Sequence, residues 1–220
     1  DTQYFDLNAV TEQRKENLLS KLTLSENVHV ILLPARITSW KGHLVALDAA
    51  KLIKQREPEL NFVILFVGSE DGKKKFSKIL KKKIKKNDLE NKIIFCGNLS
   101  DMPAVYSIAD IVLSTSTEPE AFGRISAEAS SMTKPIISSN HGGSREIIEN
   151  SITGWLVEPS NSEKLAEKIL EVLNLSQEKK DSIGLSARRR VKEKFSLNDM
   201  LKKTLAVYED LLSTKKNFDN

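Results

Sequence analysis

The residues most suited to chemistry in this sequence are two carboxylates, Glu120 and Glu128, which bracket the pair Phe122-Gly123. The surrounding pattern predicts a strand end, an acidic loop and then a helix that begins near Gly123. The first backbone N–H groups of a helix have no intrahelical partner, so those of Phe122, Gly123 and Arg124 predict an anion site. A glycine at that point lets a phosphate approach the backbone without a Cβ in the way.

The two acids are predicted to face different parts of one ligand. Glu128 lies more than one turn inside the predicted helix, so its carboxylate cannot point at the same spot as that of Glu120. One acid can then hydrogen-bond a ribose diol while the other meets hydroxyls beyond a diphosphate, an arrangement that suits a sugar nucleotide. Two plainer interpretations stay open from these residues alone. Glu120 could simply favour the positive end of the helix, and Glu128 could be a half-exposed helix acid paired with a neighbouring base.

A second group of polar residues follows the first predicted strand, in the loop ARITSWKGH. Arg36 and Lys41 would supply the positive charge that a diphosphate needs, although both could also be ordinary surface cations. The sequence has no D-x-D pattern and no His/Asp cluster with metal-ligand spacing, so neither a metal nor another cofactor is expected. Trp40, between the two cations, is predicted to pack rather than to stack on a ligand.

Short apolar runs alternate with helical patterns and would position these loops. The predicted strands are 28–34, 61–67, 92–96, 110–115, 135–139 and 154–157. The predicted helices between and after them are 41–55, 73–86, 102–108, 123–132, 143–149, 161–174, 177–194 and 197–214. This alternation predicts an α/β fold with a Rossmann-like, doubly wound parallel sheet, in which ligands bind beyond the carboxyl ends of the strands.

Three regions are expected along the chain. Residues 1–27 form an entry segment with a helix that opens at an Asn8 cap. Residues 28–175 form the Rossmann-like, ligand-binding domain, and residues 176–220 add helices that pack on the same domain. The chain begins with Asp1 rather than Met, which predicts a piece of a longer protein.

The composition is that of a globular protein, with 220 residues of which 40% are hydrophobic and 29% charged. The single cysteine, Cys96, excludes an internal disulfide and fits a reducing compartment, so a cytoplasmic location is expected. Apolar runs such as FVILFVG are too short to cross a bilayer. Cys96 as a nucleophile has no visible partner base, and the segment GSEDGK departs from the P-loop pattern.

The segment from Lys73 to Lys86 is predicted to form an amphipathic helix. It carries many lysines and no acid, while Phe76, Ile79 and Leu80 recur at helical spacing. Its cationic face is either a solvated surface or a peripheral contact with anionic lipid or a phosphorylated acceptor. Nucleic acid is not expected as a partner, because no aromatic residues are interleaved with the lysines.

Several segments together resemble the C-terminal, donor-binding domain of glycosyltransferase family 4. They are PARITSWKGH, FCGNLSDMPAVYSIADIVLSTS, EPEAFGRISAEASSMTKPIISSNHGGSREII and TGWLVEP. The family's E-x(7)-E motif is matched by Glu120 and Glu128, and its R-x(4)-K-G pattern by Arg36, Lys41 and Gly42. The resemblance spans roughly residues 1–215 and implies half of a GT-B fold, which is built from two Rossmann domains.

The resemblance also implies roles for individual residues. Arg36 and Lys41 would hold the diphosphate and stabilise the leaving group, Glu120 would orient the donor sugar, and Glu128 would accept hydrogen bonds from the ribose. These implied contacts make Glu120, Arg36 and Lys41 the candidate catalytic residues. The further residues implied in donor or nucleotide binding are Phe122, Gly123, Arg124, Ile125, Gly42, Gly97, Asn98 and Leu99. Gly142 and Gly143 would shape the cleft.

The implied activity is transfer of a hexose, with retention, from a nucleotide-diphosphate sugar to a glycan or lipid acceptor. Among subgroups of the family, the motif sequences most resemble those of bacterial enzymes that build lipopolysaccharide or other envelope glycans. The acceptor site and a catalytic, histidine-containing loop would lie in a missing N-terminal domain. Two alternatives stay open: another GT-B enzyme, such as a sugar-nucleotide epimerase, and a non-catalytic module that docks to a membrane or an acidic partner.

Overall fold

The fold is built on one six-stranded parallel sheet. The computed structural model describes residues 1–24, 27–70 and 74–218. The strands are β1 His29–Pro34, β2 Phe62–Val67, β3 Ile93–Gly97, β4 Ile111–Ser114, β5 Ile136–Ser139 and β6 Trp155–Val157. They lie in the order β3-β2-β1-β4-β5-β6, and every neighbouring pair is parallel. All six predicted strands are confirmed, and the order reverses between β1 and β4.

Helices cover both faces of the sheet, which is why the central strands are apolar throughout. The helices are α1 Glu12–Leu22, α2 His43–Arg56, α3 Lys74–Lys86, α4 Met102–Ser107, α5 Arg124–Ser131, α6 Ser144–Ile147, α7 Ser162–Leu173, α8 Gln177–Lys194 and α9 Leu197–Phe218. Helix α2 packs on α3 and α7, whereas α5 packs on α8 and α1 on α4. All six side chains of β2 are buried between these two layers. None of the described helices is long and apolar enough to span a membrane.

The start of α1 differs from the prediction. Its N-cap is Thr11, whose side chain accepts a hydrogen bond from the Arg14 N–H. Asn8 instead lies within a short 3-10 turn, where its own N–H donates to the Asp6 carboxylate at 3.0 Å. The predicted Asn8 cap is therefore wrong, because Asp6 closes a separate turn first and the chain re-enters a helix only after Thr11.

Two arginines fasten the N-terminal segment to the sheet domain. Arg14 forms a two-pronged pair with Asp101, at 2.5 and 2.8 Å, and so joins α1 to the start of α4. Arg188 on α8 pairs with Asp6 at 2.7 Å and donates to the Ser131 carbonyl at the end of α5. These contacts hold the entry segment against the layer that contains α4, α5 and α8.

His43, the first residue of α2, is a core residue. Its ring is fully buried and stands edge-on to Phe66, with 4.9 Å between the ring centroids. Neither ring nitrogen has a hydrogen bond of normal geometry, although backbone groups of Thr38 and Ala35 lie near enough to favour the charged form. Burial dominates and lowers the pKa of His43 to about 4, so the ring is neutral at pH 7.

This burial predicts acid-sensitive folding. In the unfolded chain His43 takes up a proton near pH 6.5, while in the native protein it does so only near pH 4, so stability is lost as pH falls through that window. The free energy of unfolding should fall by about 3 kcal/mol from this residue alone. Urea unfolding between these pH values should show a shallower pH dependence for His43→Leu than for the wild type. Identical slopes would contradict the prediction.

Candidate functional site

The candidate site lies where the sheet order reverses, at the carboxyl ends of β1 and β4. Three loops meet there: the one after β1, the one after β4 and the one after β5. The Thr117 N–H donates to the Trp40 carbonyl at 2.7 Å, and the Gly143 N–H donates to the Glu120 carbonyl at 2.8 Å. The loops are therefore linked directly through their main chains.

Glycines make this close approach of the three loops possible. A methyl group on Gly42 would stand 1.8 Å from the Thr115 carbonyl oxygen, and one on Gly143 would stand 2.2 Å from the Phe122 carbonyl oxygen. Gly142 is equally confined by the Glu120 backbone, at 2.4 Å. Since no side chain fits at these points, the glycines shape the cleft, as expected of Gly142 and Gly143.

Lys41 and Glu120 are brought into direct contact by these loops. The Lys41 ammonium lies 2.7 Å from Glu120 Oε2, and the two side chains are only 12% and 17% exposed. Ser116 donates its hydroxyl proton to Glu120 Oε1, and the Lys41 ammonium also sits 4.1 Å from the centre of the Trp40 ring. The pair is thus largely shielded from water, which strengthens the attraction between its two charges.

Arg36 is placed in the same loop but apart from the pair. It is exposed between two buried residues, Ala35 and Ile37, as expected for a chain that still runs extended after β1. Among the described residues no carboxylate pairs with it. Of the three candidate catalytic residues, Lys41 and Glu120 therefore form an ion pair, whereas Arg36 is exposed and has no such partner among the described residues.

The start of α5 is the predicted one. Gly123 is its N-cap, with a left-handed φ of 83°, and it offers no side chain to the first N–H groups of the helix. The N–H groups of Phe122, Gly123 and Arg124 have no acceptor within the described part of the chain. The next residue, Ile125, has a buried side chain, so only its backbone can reach a ligand.

Glu128 has a different environment from Glu120. It is partly buried, and the Tyr106 hydroxyl donates to its Oε2 at 2.8 Å. Burial raises the pKa of Glu128, while the hydrogen bond from Tyr106 and the charge of Arg124 oppose the rise. Burial, together with the neighbouring Glu128 charge, also raises the pKa of Tyr106 well above its ordinary value. Glu128 lines a cavity of about 130 Å³ together with Phe122, Arg124 and Phe195.

The loop after β3 contains Gly97, Asn98 and Leu99. Gly97 adopts a left-handed φ of 66° and has open space above its Cα. Leu99 packs partly against the core, and no hydrogen bond or ion pair among the described residues joins this loop to the Lys41–Glu120 pair. Its neighbour Cys96 is half-buried, and burial raises the pKa of the thiol to about 11, which does not suit a nucleophile.

Sequence reasoning missed two partners of the acids, Ser116 and Tyr106. Neither carries a local signal, since a serine after a strand and a tyrosine in an apolar helix are ordinary residues. His141, in the loop after β5, also lies close to this group: its Nε2 is 2.9 Å from the Ser116 carbonyl oxygen, and its Nδ1 is buried with no hydrogen-bond partner among the described residues. Among the residues described, no group of three or more His, Cys, Asp or Glu side chains is arranged to hold a metal.

The family profile and the similar proteins of known structure agree on one class of protein. The profile of the family described as "Glycosyl transferases group 1" matches residues 14–190. A glycosyltransferase structure from Rickettsia africae is 41% identical, with a TM-score of 0.92 over 96% of this chain and 55% of its own. Anabaena Alr3699/HepE in complex with UDP-glucose is 27% identical, with a TM-score of 0.83 over 97% of this chain and 55% of its own.

Among curated proteins, lipopolysaccharide 1,2-N-acetylglucosaminetransferase of Salmonella typhimurium is 29% identical over 83% of this chain and 48% of its own length. The chain spans about half the length of the curated relatives it matches. The structural neighbours are GT-B glycosyltransferases, so the sheet described above is the Rossmann-like sheet of one GT-B domain, with additional helices at its C-terminal end.

The glycine contacts predict a sharp difference between two substitutions. Gly42→Ala and Gly97→Ala both place a Cβ on a left-handed backbone, but only the first drives it into a neighbouring carbonyl. Gly97→Ala should cost about 1–2 kcal/mol of unfolding free energy, and Gly42→Ala about 3 kcal/mol or more. Chemical denaturation of both variants measures the difference, and equal losses would show that the loops do not need this close approach.

Proposed function

The chain belongs to the glycosyl transferases group 1 family, and from that premise we propose that it is the donor-binding domain of a retaining, family 4 enzyme. The enzyme transfers a hexose from a nucleotide-diphosphate sugar to a glycan or lipid acceptor. The observation that carries the proposal is the likeness, over nearly the whole chain, to Anabaena HepE, which binds UDP-glucose. The shielded Lys41–Glu120 pair beside the uncapped start of α5 supports it independently.

The diphosphate of the donor binds at the start of α5. The unpartnered N–H groups of Phe122, Gly123 and Arg124 attract an anion there, and Gly123 lets it come close. Lys41 then exchanges its ion pair with Glu120 for the diphosphate, with Arg36 adding charge from the rim. This exchange frees the Glu120 carboxylate to accept hydrogen bonds from the hydroxyls of the sugar. Glu128 accepts from the ribose, while the 97–99 loop borders the base.

Catalysis by this arrangement rests on placed charge. As the bond from the anomeric carbon to the diphosphate breaks, negative charge grows on the leaving oxygen, beside Lys41 and Arg36. The acceptor oxygen attacks the same face, and its proton passes to the departing phosphate, which gives retention without a covalent enzyme intermediate. Lys41, Arg36 and the start of α5 supply the positive charge that a metal ion would otherwise provide.

The acceptor site and a catalytic histidine loop belong to a second domain, which the half-length match to its relatives supports. Helix α9 offers a surface for that domain, because it leaves a row of large apolar side chains exposed. They are Leu197, Met200, Leu201, Leu205, Leu211 and Leu212. Exposed apolar area of this extent marks a contact surface. A lipopolysaccharide or other envelope glycan is the acceptor, and the named activity of the Salmonella relative supports this class.

The expected binding behaviour separates the roles of the two acids. Glu128→Ala should weaken UDP binding about tenfold or more, because the ribose loses its acceptor. Glu120→Ala should spare UDP binding, since Lys41 is left free for the diphosphate, but should weaken UDP-glucose. Calorimetric titration measures both, with the exposed Glu118→Ala of the same loop as the matched control.

Two results of these titrations would count against the proposal. Equal losses in the two variants would contradict the division of labour between the acids. A wild-type chain that binds none of UDP, GDP and ADP would contradict the proposed function itself. Without its second domain, the chain should bind donor but transfer no sugar.

The lysine face of α3 supports a peripheral membrane contact for the enzyme at the cytoplasmic side of a membrane. Two lysines at its flanks are neutralised, Lys81 by Glu70 and Lys83 by Asp48. The remaining face consists of exposed lysines around Ile79, which is itself 55% exposed. These lysines are Lys75, Lys78, Lys82, Lys85 and Lys86. Lys73 lies outside the described residues.

Each lysine near an anionic bilayer contributes about 1 kcal/mol, so the face predicts weak, salt-sensitive binding. Cosedimentation with phosphatidylglycerol vesicles should retain the wild-type chain at low salt and lose it for Lys78→Glu/Lys82→Glu/Lys85→Glu. A variant with the same charge change elsewhere, Lys51→Glu/Lys179→Glu/Lys192→Glu, should still bind. If both variants lost vesicle binding equally, the binding would depend on net charge alone, and a specific contact through α3 would be contradicted.

A further inference from the structure

Tyr106 is a buried residue of α4 that the proposed function does not use. We propose that Tyr106 is a positioning residue for donor binding, which holds the Glu128 carboxylate in one orientation and keeps it ready to accept the ribose hydroxyls. The inference rests on the proposed function, because it concerns how Glu128 performs the role assigned there. No contact between Tyr106 and the ligand is required.

The tyrosine hydroxyl is held in place from several sides. The side chain is fully buried, and Phe5 stands edge-on to its ring with 5.8 Å between centroids. Its helix is fixed at the N-terminus by Asp101, which caps α4 and pairs with Arg14. A buried tyrosine hydroxyl needs a hydrogen-bond partner, and here that partner is the carboxylate of the neighbouring helix α5, at 2.8 Å.

The hydrogen bond determines which oxygen of Glu128 is available. Oε2 accepts from Tyr106, whereas Oε1 has no hydrogen-bond partner among the described residues, and Glu128 borders the cavity next to Arg124 and Phe122. A carboxylate anchored through one oxygen presents the other in a defined direction, so less conformational entropy is lost when a hydroxyl binds. Tyr106 therefore pre-organises the acceptor rather than adding a contact of its own.

The same bond also favours the charged form of Glu128. Burial raises the pKa of this carboxyl, and three neighbours lower it: Tyr106 from α4, Arg124 from α5 and the amino group of Asp1 from the N-terminal segment. Arg188 of the neighbouring helix α8 is already paired with Asp6. Since the pKa is raised, ribose binding by the carboxylate should strengthen as pH rises. Removal of the Tyr106 hydroxyl should move that rise to higher pH.

The test is calorimetric titration of UDP into the whole chain at a series of pH values from acidic to neutral. Tyr106→Phe should raise the Kd for UDP about tenfold at neutral pH and shift the midpoint of the pH dependence upward. Tyr208→Phe, which removes an exposed hydroxyl on α9, should change neither quantity. Tyr106→Phe added to Glu128→Gln should cost little more than Glu128→Gln alone, because both act through one carboxylate.

An unchanged Kd and pH profile in Tyr106→Phe, measured against a wild type that binds UDP, would overturn this inference and leave the proposed function standing. A wild type that binds no nucleotide would overturn both. If thermal unfolding shows that Tyr106→Phe does not fold, the pH dependence of UDP binding is measured for Glu128→Gln instead. Because the phosphate of UDP also titrates in this pH range, the pH profile of Glu128→Gln is compared with that of the wild type. Glu128→Gln should show a smaller change of Kd with pH than the wild type, and identical profiles would overturn the inference.

Discussion

The site depends on three loops whose main chains approach each other so closely that only glycine fits at positions 42, 142 and 143. Parallel strands alone bring their carboxyl ends to one edge of the sheet, but they leave the loops free to separate. The glycines let the loops after β1, β4 and β5 press together, and main-chain hydrogen bonds then lock them. Only in that arrangement do a lysine from one loop and a glutamate from another meet at 2.7 Å.

The two acids illustrate how one fold gives identical side chains different properties. Glu120 sits beside a cation, so its charge is balanced and the pair can exchange partners when an anion arrives. Glu128 sits beside a neutral hydroxyl, so its charge is stabilised by hydrogen bonding against the cost of burial. An exchangeable ion pair suits a group that must reorganise around a diphosphate, whereas an anchored carboxylate suits recognition of a fixed diol.

The sequence was most informative where a pattern repeats. Runs of apolar, β-branched residues predicted all six strands, because a strand that is buried on both faces is apolar throughout. The alternation of strands and helices predicted the doubly wound sheet. The start of α5 followed from Gly123. The Asn8 cap failed because Asp6 and Thr11 are also favourable N-cap residues, and the path of the chain decides which of the three caps a helix. Tyr106 and Ser116 were invisible for a related reason: their importance lies in partners more than one element away, or across a turn, that no local spacing reveals.

The cleft, helix α9 and the lysines of α3 would bind their partners through different physical interactions. This difference suits three different kinds of partner. The cleft at the β1–β4 reversal uses charges shielded from water, which act over short distances and discriminate ligand geometry. Helix α9 exposes apolar area, which has no direction but requires a large complementary surface. The lysines of α3 lie in the layer with α2, away from the α5–α8 layer, and act over the Debye length. The proposed donor cleft and the lysines of α3 therefore use different residues, so the two proposed contacts do not compete. Helix α9 begins closer to the cleft, because Leu197 and Met200 line a cavity together with Phe122.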